Sequence, residues 1–239
     1  MNRNFAKPIT VVAVVLSLLG SAALAPSSMA AEPTRYITVS ADGTVKVAPD
    51  AVRLNATVSV VSGTSKEALS ATSTSAAAVR AALVANAVST KDISTQSLTV
   101  YPEYNYTSDK GSVLVGYRGN QGFTVIIRNA KSAGAIVDAV VAAGGDNLQV
   151  NGVTPFILDT TKATTSARAD AVKKAKAKAG SYASLLGVKL GKVVYLVEGS
   201  APSSYIPMMG LAKSDAGATQ IDLGQQDVSV SITVQWALL

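Results

Sequence analysis

The chain has 239 residues, is 48% hydrophobic and carries a formal charge of +6, with neither cysteine nor histidine. Those two absences exclude a disulfide framework, a thiol nucleophile, an imidazole general base and the ordinary zinc ligand sets. Stability must then come from packing alone.

The first feature in chain order is an address. Arg3 and Lys7 precede the apolar run Ile9–Ala25, Pro26 ends it, and Ser28-Met29-Ala30 supplies small residues for a cut after Ala30. A basic start, an apolar middle and a small-residue exit are the parts of a secretory signal. Residues 1–30 are therefore read as a signal peptide and residues 31–239 as the mature chain, destined for periplasm, cell wall or medium. The alternative is an uncleaved anchor, because the run approaches the roughly 18 residues that a spanning helix needs. No other apolar run reads as long enough to span a bilayer.

Beyond Pro33 the pattern has period two. Val45 and Val47 resume the alternation of Ile37 and Val39, Pro49-Asp50 forms a turn, and Val52, Leu54, Ala56, Val58 and Val60 share one face. Arg35–Ser62 is thus expected to be a hairpin. Thr64-Ser-Lys-Glu67 is a capping box and opens a helix to about Ala87. A strand from Ile93 to Tyr106 ends in YPEYNY, TSDKGS turns, and Val113–Arg128 pairs back. Asn129 starts a helix that stops at Gly144-Gly145, the wrong end of a helix for a phosphate cradle. Leu148–Leu158 is a strand, Asp159-Thr160 caps a long helix, and Lys192–Glu198 is a short strand. Gly199–Gln226 reads as irregular, and Val228–Leu238 alternates most strictly of all. The fold class is α+β: mainly antiparallel sheet with hairpins and packed helices. The stretches Arg35–Ala87 and Val113–Ala143 (with its preceding strand) share a ββα pattern that would fit an internal duplication.

The long helix carries DAVKKAKAKAGSYASLLG, residues 170–187. At 100° per residue, Val172, Ala175, Ala179, Tyr182 and Leu186 fall on one line and are expected to form the buried seam. The four lysines then cover the wet circumference, and no aromatic ladder accompanies them, which argues against nucleic acid. An anionic lipid surface or wall polymer remains a partner for such a face. Arg168 lies one turn before Val172 on the same line, so it needs a carboxylate within the fold or across a subunit contact.

These residues resemble the SIMPL-domain family of bacterial exported proteins, which includes periplasmic oxidative-stress-defence proteins and an immunogenic periplasmic protein. The resemblance rests on ITVSADGTVKVAPDAVRLNATV, DISTQSLTVYPEYNY with the later GYR, ADAVKKAKAKAGSYASLLGVKLGKVVYLVE, and IDLGQQDVSVSITVQWAL. It covers nearly all of residues 31–239. The chain departs from the pattern at Tyr117–Gly122, where two glycines loosen a strand. The resemblance implies an α+β domain without known catalytic residues, and ring-like or channel-like homo-oligomers in some members. It implies no cofactor and no metal.

Three functions follow as expectations. A non-enzymatic envelope scaffold, assembled from copies of itself, fits the missing catalytic set and the regular last strand, which must be paired or blocked. A binding module for an envelope ligand would use Tyr101, Tyr104 and Tyr106, with Tyr117 opposite, or a loop around Tyr205, Pro207, Met208 and Met209; the plainer alternatives are tyrosines that are simply strand residues at a sheet surface and a loop tip folded over the core. An enzyme is the poorest fit, since no spacing singles out a pair among Asp42, Asp50 and Glu103.

Overall fold

The computed structural model describes residues 35–199, 204–205 and 219–239; the expected signal and the loop residues Met208 and Met209 lie outside the described residues. The elements are β1 (Tyr36–Val47), β2 (Ala51–Ser62), α1 (Ser65–Ala85), β3 (Ile93–Thr107), β4 (Gly111–Ile127), α2 (Ala133–Gly144), β5 (Leu148–Phe156), α3 (Thr161–Leu185), β6 (Leu190–Glu198), β7 (Ser204–Tyr205) and β8 (Gln226–Leu238). The class is the expected α+β. The strands form two antiparallel sheets, one ordered β1-β8-β6 with β7 also on β8, the other β3-β4-β2-β5.

Each sheet buries one face under helix. In the second sheet, Leu54, Val58, Val125 and Ile127 meet Val79 and Leu83 of α1 and Val140 of α2. The first sheet sets Val39, Val230, Ile232, Val234 and Trp236 beneath α3. The opposite face of the first sheet is a polar ladder in which side chains bond across β1 and β8. Thr38 meets Gln235, Ser40 meets Thr233 at 2.8 Å, Asp42 meets Ser231, and Thr44 meets Ser229 at 3.0 Å. Lys46 and Asp227 close it with an ion pair. Strict alternation in β8 thus separates core from water.

Two expectations about pairing are corrected. Arg35–Ser62 is not a hairpin: β1 pairs with β8, from Tyr36 opposite Ala237 to Val47 opposite Gln226, while β2 pairs with β4 and β5 in the other sheet. The Pro49-Asp50 turn is committed elsewhere, because the Asp50 carboxylate accepts from Leu158 N at 2.8 Å and its carbonyl accepts from Ala130 N at 3.1 Å. The last strand is not an edge in need of a partner. It is the central strand of its sheet, paired on both sides within the chain. The β3–β4 hairpin stands as expected, in register from Ile93 opposite Val125 to Thr107 opposite Gly111.

The helix signals hold unevenly. The Thr64 side chain accepts from Glu67 N while Glu67 accepts from Thr64 N, completing the capping box. At α3 the cap is Asp159, which accepts from Thr161 N at 2.8 Å; the Thr160 side chain makes no cap bond. Gly145 ends α2 at φ 51°, a left-handed position that favours glycine. By length and hydropathy α1 also passes for a membrane span, which corrects the reading that only the first apolar run does. Its stripe Ala68, Thr72, Ala76, Val79 and Leu83 is buried, while Leu69 and Val84 on its other side are exposed.

Candidate functional site

The long helix is the first place where side chains do more than the periodicity foretold. Its buried line is Ala163, Ala167, Ala171, Ala175, Ala179 and Ala183, an alanine every four residues. Val172, Tyr182 and Leu186 of the expected seam are exposed instead; only Ala175 and Ala179 were placed correctly. The reason is steric. A Cβ added at Gly43 of β1 would lie 1.9 Å from Ala167 O and 2.4 Å from Ala171 N, so helix backbone rests on strand backbone and only methyl groups fit between them.

That approach brings the lysines onto the outer edge of β1. Lys178 Nζ donates to Ser40 O at 3.3 Å, Lys174 Nζ donates to Asp42 O at 3.2 Å, and Asp170 accepts from Thr44 N at 3.2 Å. Asp170 is itself paired with Lys174 at 2.7 Å, and that bond, with the Thr44 amide, holds its carboxyl below the usual aspartate range. Charged side chains capping the free groups of an edge strand prevent further pairing. The block covers Ser40–Thr44 alone. Beside Ile37–Ser40 an open groove of about 460 Å³ runs between β1 and α3, flanked by Lys178 and Tyr182.

Arg168 finds its carboxylate within the chain. Its guanidinium forms a fork with Glu198 at the end of β6, at 2.8 and 2.9 Å, and this bond holds Glu198 below the usual glutamate range. Along β6, Val193–Val197 are all 42–55% exposed, and among the described residues no strand pairs with its outer edge.

The tyrosines occupy a different structure. β2 ends at Ser62 opposite Tyr117, but β3 and β4 continue past it as a two-stranded arm, Glu103–Thr107 against Gly111–Gly116. Its root is firm. The Arg118 guanidinium forks onto Glu103 and also donates to Ser59 Oγ at 2.9 Å. That fork depresses the Glu103 carboxyl and raises the Arg118 guanidinium. Gly116 passes so close to β2 that a Cβ there would lie 2.7 Å from Ser62 O. Asn120 Nδ2 donates to Tyr101 Oη at 3.1 Å. Beyond the root, Tyr104 (57% exposed) lies opposite Leu114 and Tyr106 (78% exposed) opposite Ser112, with Val113 and Val115 also exposed. Tyr117 is half-buried opposite Pro102. Tyr205 pairs its backbone with Asp227.

One further ion pair is built into the second sheet's side of the fold. Asp92, only 7% exposed, accepts from Arg128 Nε and Nη2, both at 2.8 Å, and that fork holds its carboxyl below the usual aspartate range. Both line a cleft of about 220 Å³ at the end of α1. Among the described residues no three acidic side chains gather as a metal cage would require.

Residues 37–236 match the SIMPL family, described as a protein of unknown function (DUF541). The chain belongs to the SIMPL family. It is 29% identical over 222 residues to the 26 kDa periplasmic immunogenic protein of Brucella melitensis, covering 87% of this chain and 86% of that one. It is 26% identical over 208 residues to the uncharacterized protein YggE of Escherichia coli K12, covering 86% and 82%. Neither name describes an enzyme. Family membership therefore fixes the fold more closely than the task.

Proposed function

We propose that this SIMPL protein is a non-enzymatic protein of the periplasm or cell envelope that works as an assembly of its own copies. The periplasmic name of the Brucella relative supports the location. The observation that carries the assembly is the arm. A lone two-stranded ribbon is marginal in water and needs a third strand or a packed face to persist. Here the ribbon leaves the body with Tyr104, Tyr106, Leu114, Val113 and Val115 uncovered, while Arg118, Glu103 and Gly116 hold its root rigid. A second copy that buries those side chains would supply what the described residues do not. A role in envelope or oxidative-stress defence would then be exerted through shape and contact.

Light scattering on residues 31–239 tests the reading. The mature chain is expected to run at a multiple of its own mass, and Tyr104→Ser/Tyr106→Ser/Leu114→Ser to run near the monomer with unchanged melting. A wild-type monomer at every concentration would refute it. The exposed Tyr104 and Tyr106 also support a second reading, a binding module for wall polymer or an anionic lipid surface. Retention of the wild type on purified wall polymer or anionic vesicles, lost in the same triple variant, would favour that one.

A further inference from the structure

The outer strands of the first sheet are unlike each other in a way that makes them fit. In the register of β1 with β8, odd residues of β1 bond inward, so Tyr36, Thr38, Ser40, Asp42 and Thr44 turn their backbone groups outward. Lys178, Lys174 and Asp170 occupy Ser40 O, Asp42 O and Thr44 N. Tyr36 O, Thr38 N, Thr38 O and Ser40 N have no partner among the described residues. At the opposite edge, Gly199 N bonds inward to Ser231 O, so Leu196 and Glu198 turn their backbone groups outward. β6 is bulged on either side of Val193 and regular only over Tyr195–Glu198. Among the described residues a four-residue open edge thus stands at each side of one sheet, and β6 runs parallel to β1 because both are antiparallel to β8.

From this we infer that Tyr195–Glu198 of one copy adds as a parallel strand to Tyr36–Val39 of the next, filling the groove between β1 and α3. The inference rests on the self-association proposed above and adds to the arm a second contact between copies, one that the assembly held by the arm brings into reach. Leu196 falls opposite Ile37 and Val197 opposite Thr38. Neighbours then share a face: Leu196 and Ile37 lie on the side of α3, as do their partners Val234 and Trp236. Val197 and Thr38 lie on the polar ladder, beside Thr233 and Gln235. The outward groups of Leu196 meet Tyr36 O and Thr38 N, and those of Glu198 meet Thr38 O and Ser40 N. This uses each open group of β1 and stops where Lys178 begins. Glu198, forked by Arg168 of its own chain, arrives beside Lys178, an ammonium with no carboxylate partner among the described residues, so the contact brings that ammonium its nearest carboxylate without stranding a charge. The contact joins two different surfaces, so it is head-to-tail and repeats from copy to copy.

The absence of native cysteine allows a clean test on residues 31–239. Thr38→Cys and Val197→Cys, both exposed and away from the core, would stand about 5 Å apart across the contact, the spacing of neighbouring strands. A short bifunctional thiol reagent should give the double variant a ladder of covalent dimers, trimers and higher products. A mixture of the two single variants should stop at the dimer, and neither alone should be linked. Linking of Val197→Cys alone would overturn the proposal in favour of β6 against β6. No linking in a double variant that light scattering shows to be assembled would overturn this contact and leave the assembly standing. No linking in a monomer would overturn both. Linking of the double variant blocked by excess free KVVYLVE peptide, at unchanged melting, would add support for strand addition.

Discussion

Gly43 offers the sharpest test of how α3 is seated. Replacing it with alanine places a methyl carbon 1.9 Å from Ala167 O and 2.4 Å from Ala171 N, and both obstacles are backbone. No rotamer change relieves such a clash, so the helix must lift from β1 by roughly an ångström or more, the shortfall from ordinary contact distance. Lifting opens a gap along a line of alanines that have no longer side chain to refill it, and it draws Lys174, Lys178 and Asp170 away from the strand. Overpacking of a tight site costs about 1–3 kcal/mol and occasionally more; with backbone on both sides we expect about 3 kcal/mol. Gly180→Ala on the same helix is the control. A Cβ there meets nothing within 4 Å, so it should stabilise by about 0.8 kcal/mol through helix propensity alone. Urea titration followed by Trp236 fluorescence reads both, because Trp236 is the only tryptophan and is 6% exposed beneath α3. A Gly43→Ala midpoint equal to that of wild type would refute the backbone-on-backbone seat.

Two further outcomes are expected. Lys174→Ala/Lys178→Ala should uncover Ser40 O and Asp42 O and produce concentration-dependent association beyond that of wild type, measured by light scattering; an unchanged mass distribution would show that the lysines do not guard the edge. Asp92→Asn should lower stability at neutral pH by about 2 kcal/mol, the worth of a hydrogen bond to a charged group. Because Arg128 depresses the folded Asp92 carboxyl, its contribution is present above the unfolded value of 3.8 and is lost as pH falls through the folded one. Melting curves of wild type and variant should therefore converge on acidification, and parallel curves down to acid would contradict the pairing.

Local chemistry was readable where a few neighbouring residues decide the outcome. Thr64 and Glu67 cap one helix end in any context, and alternation from Val228 to Trp236 marks a strand with one wet face. Pairing was not readable for β1, whose partner lies nearly two hundred positions away and whose own alternation says nothing about it. The regularity of β8 calls for pairing or blocking, and both its edges are paired within the chain by strands that its own alternation does not name. In α3 the larger apolar residues misled: Val172 and Tyr182 carry more hydrophobic weight than alanine, but Gly43 admits no side chain larger than methyl on the line that touches β1. Alanine at every fourth position was the available signal. The arm tyrosines were legible as a cluster, whereas the point at which β2 ends and leaves them unsupported was not. Met208 and Met209 lie outside the described residues.

Native mass spectrometry of residues 31–239, from dilute to concentrated solution, decides whether copies of this chain hold together. A discrete higher-order species that persists on dilution is the predicted result. A single-chain mass throughout would contradict it, leaving the arm and both open edges of the first sheet without their proposed occupant.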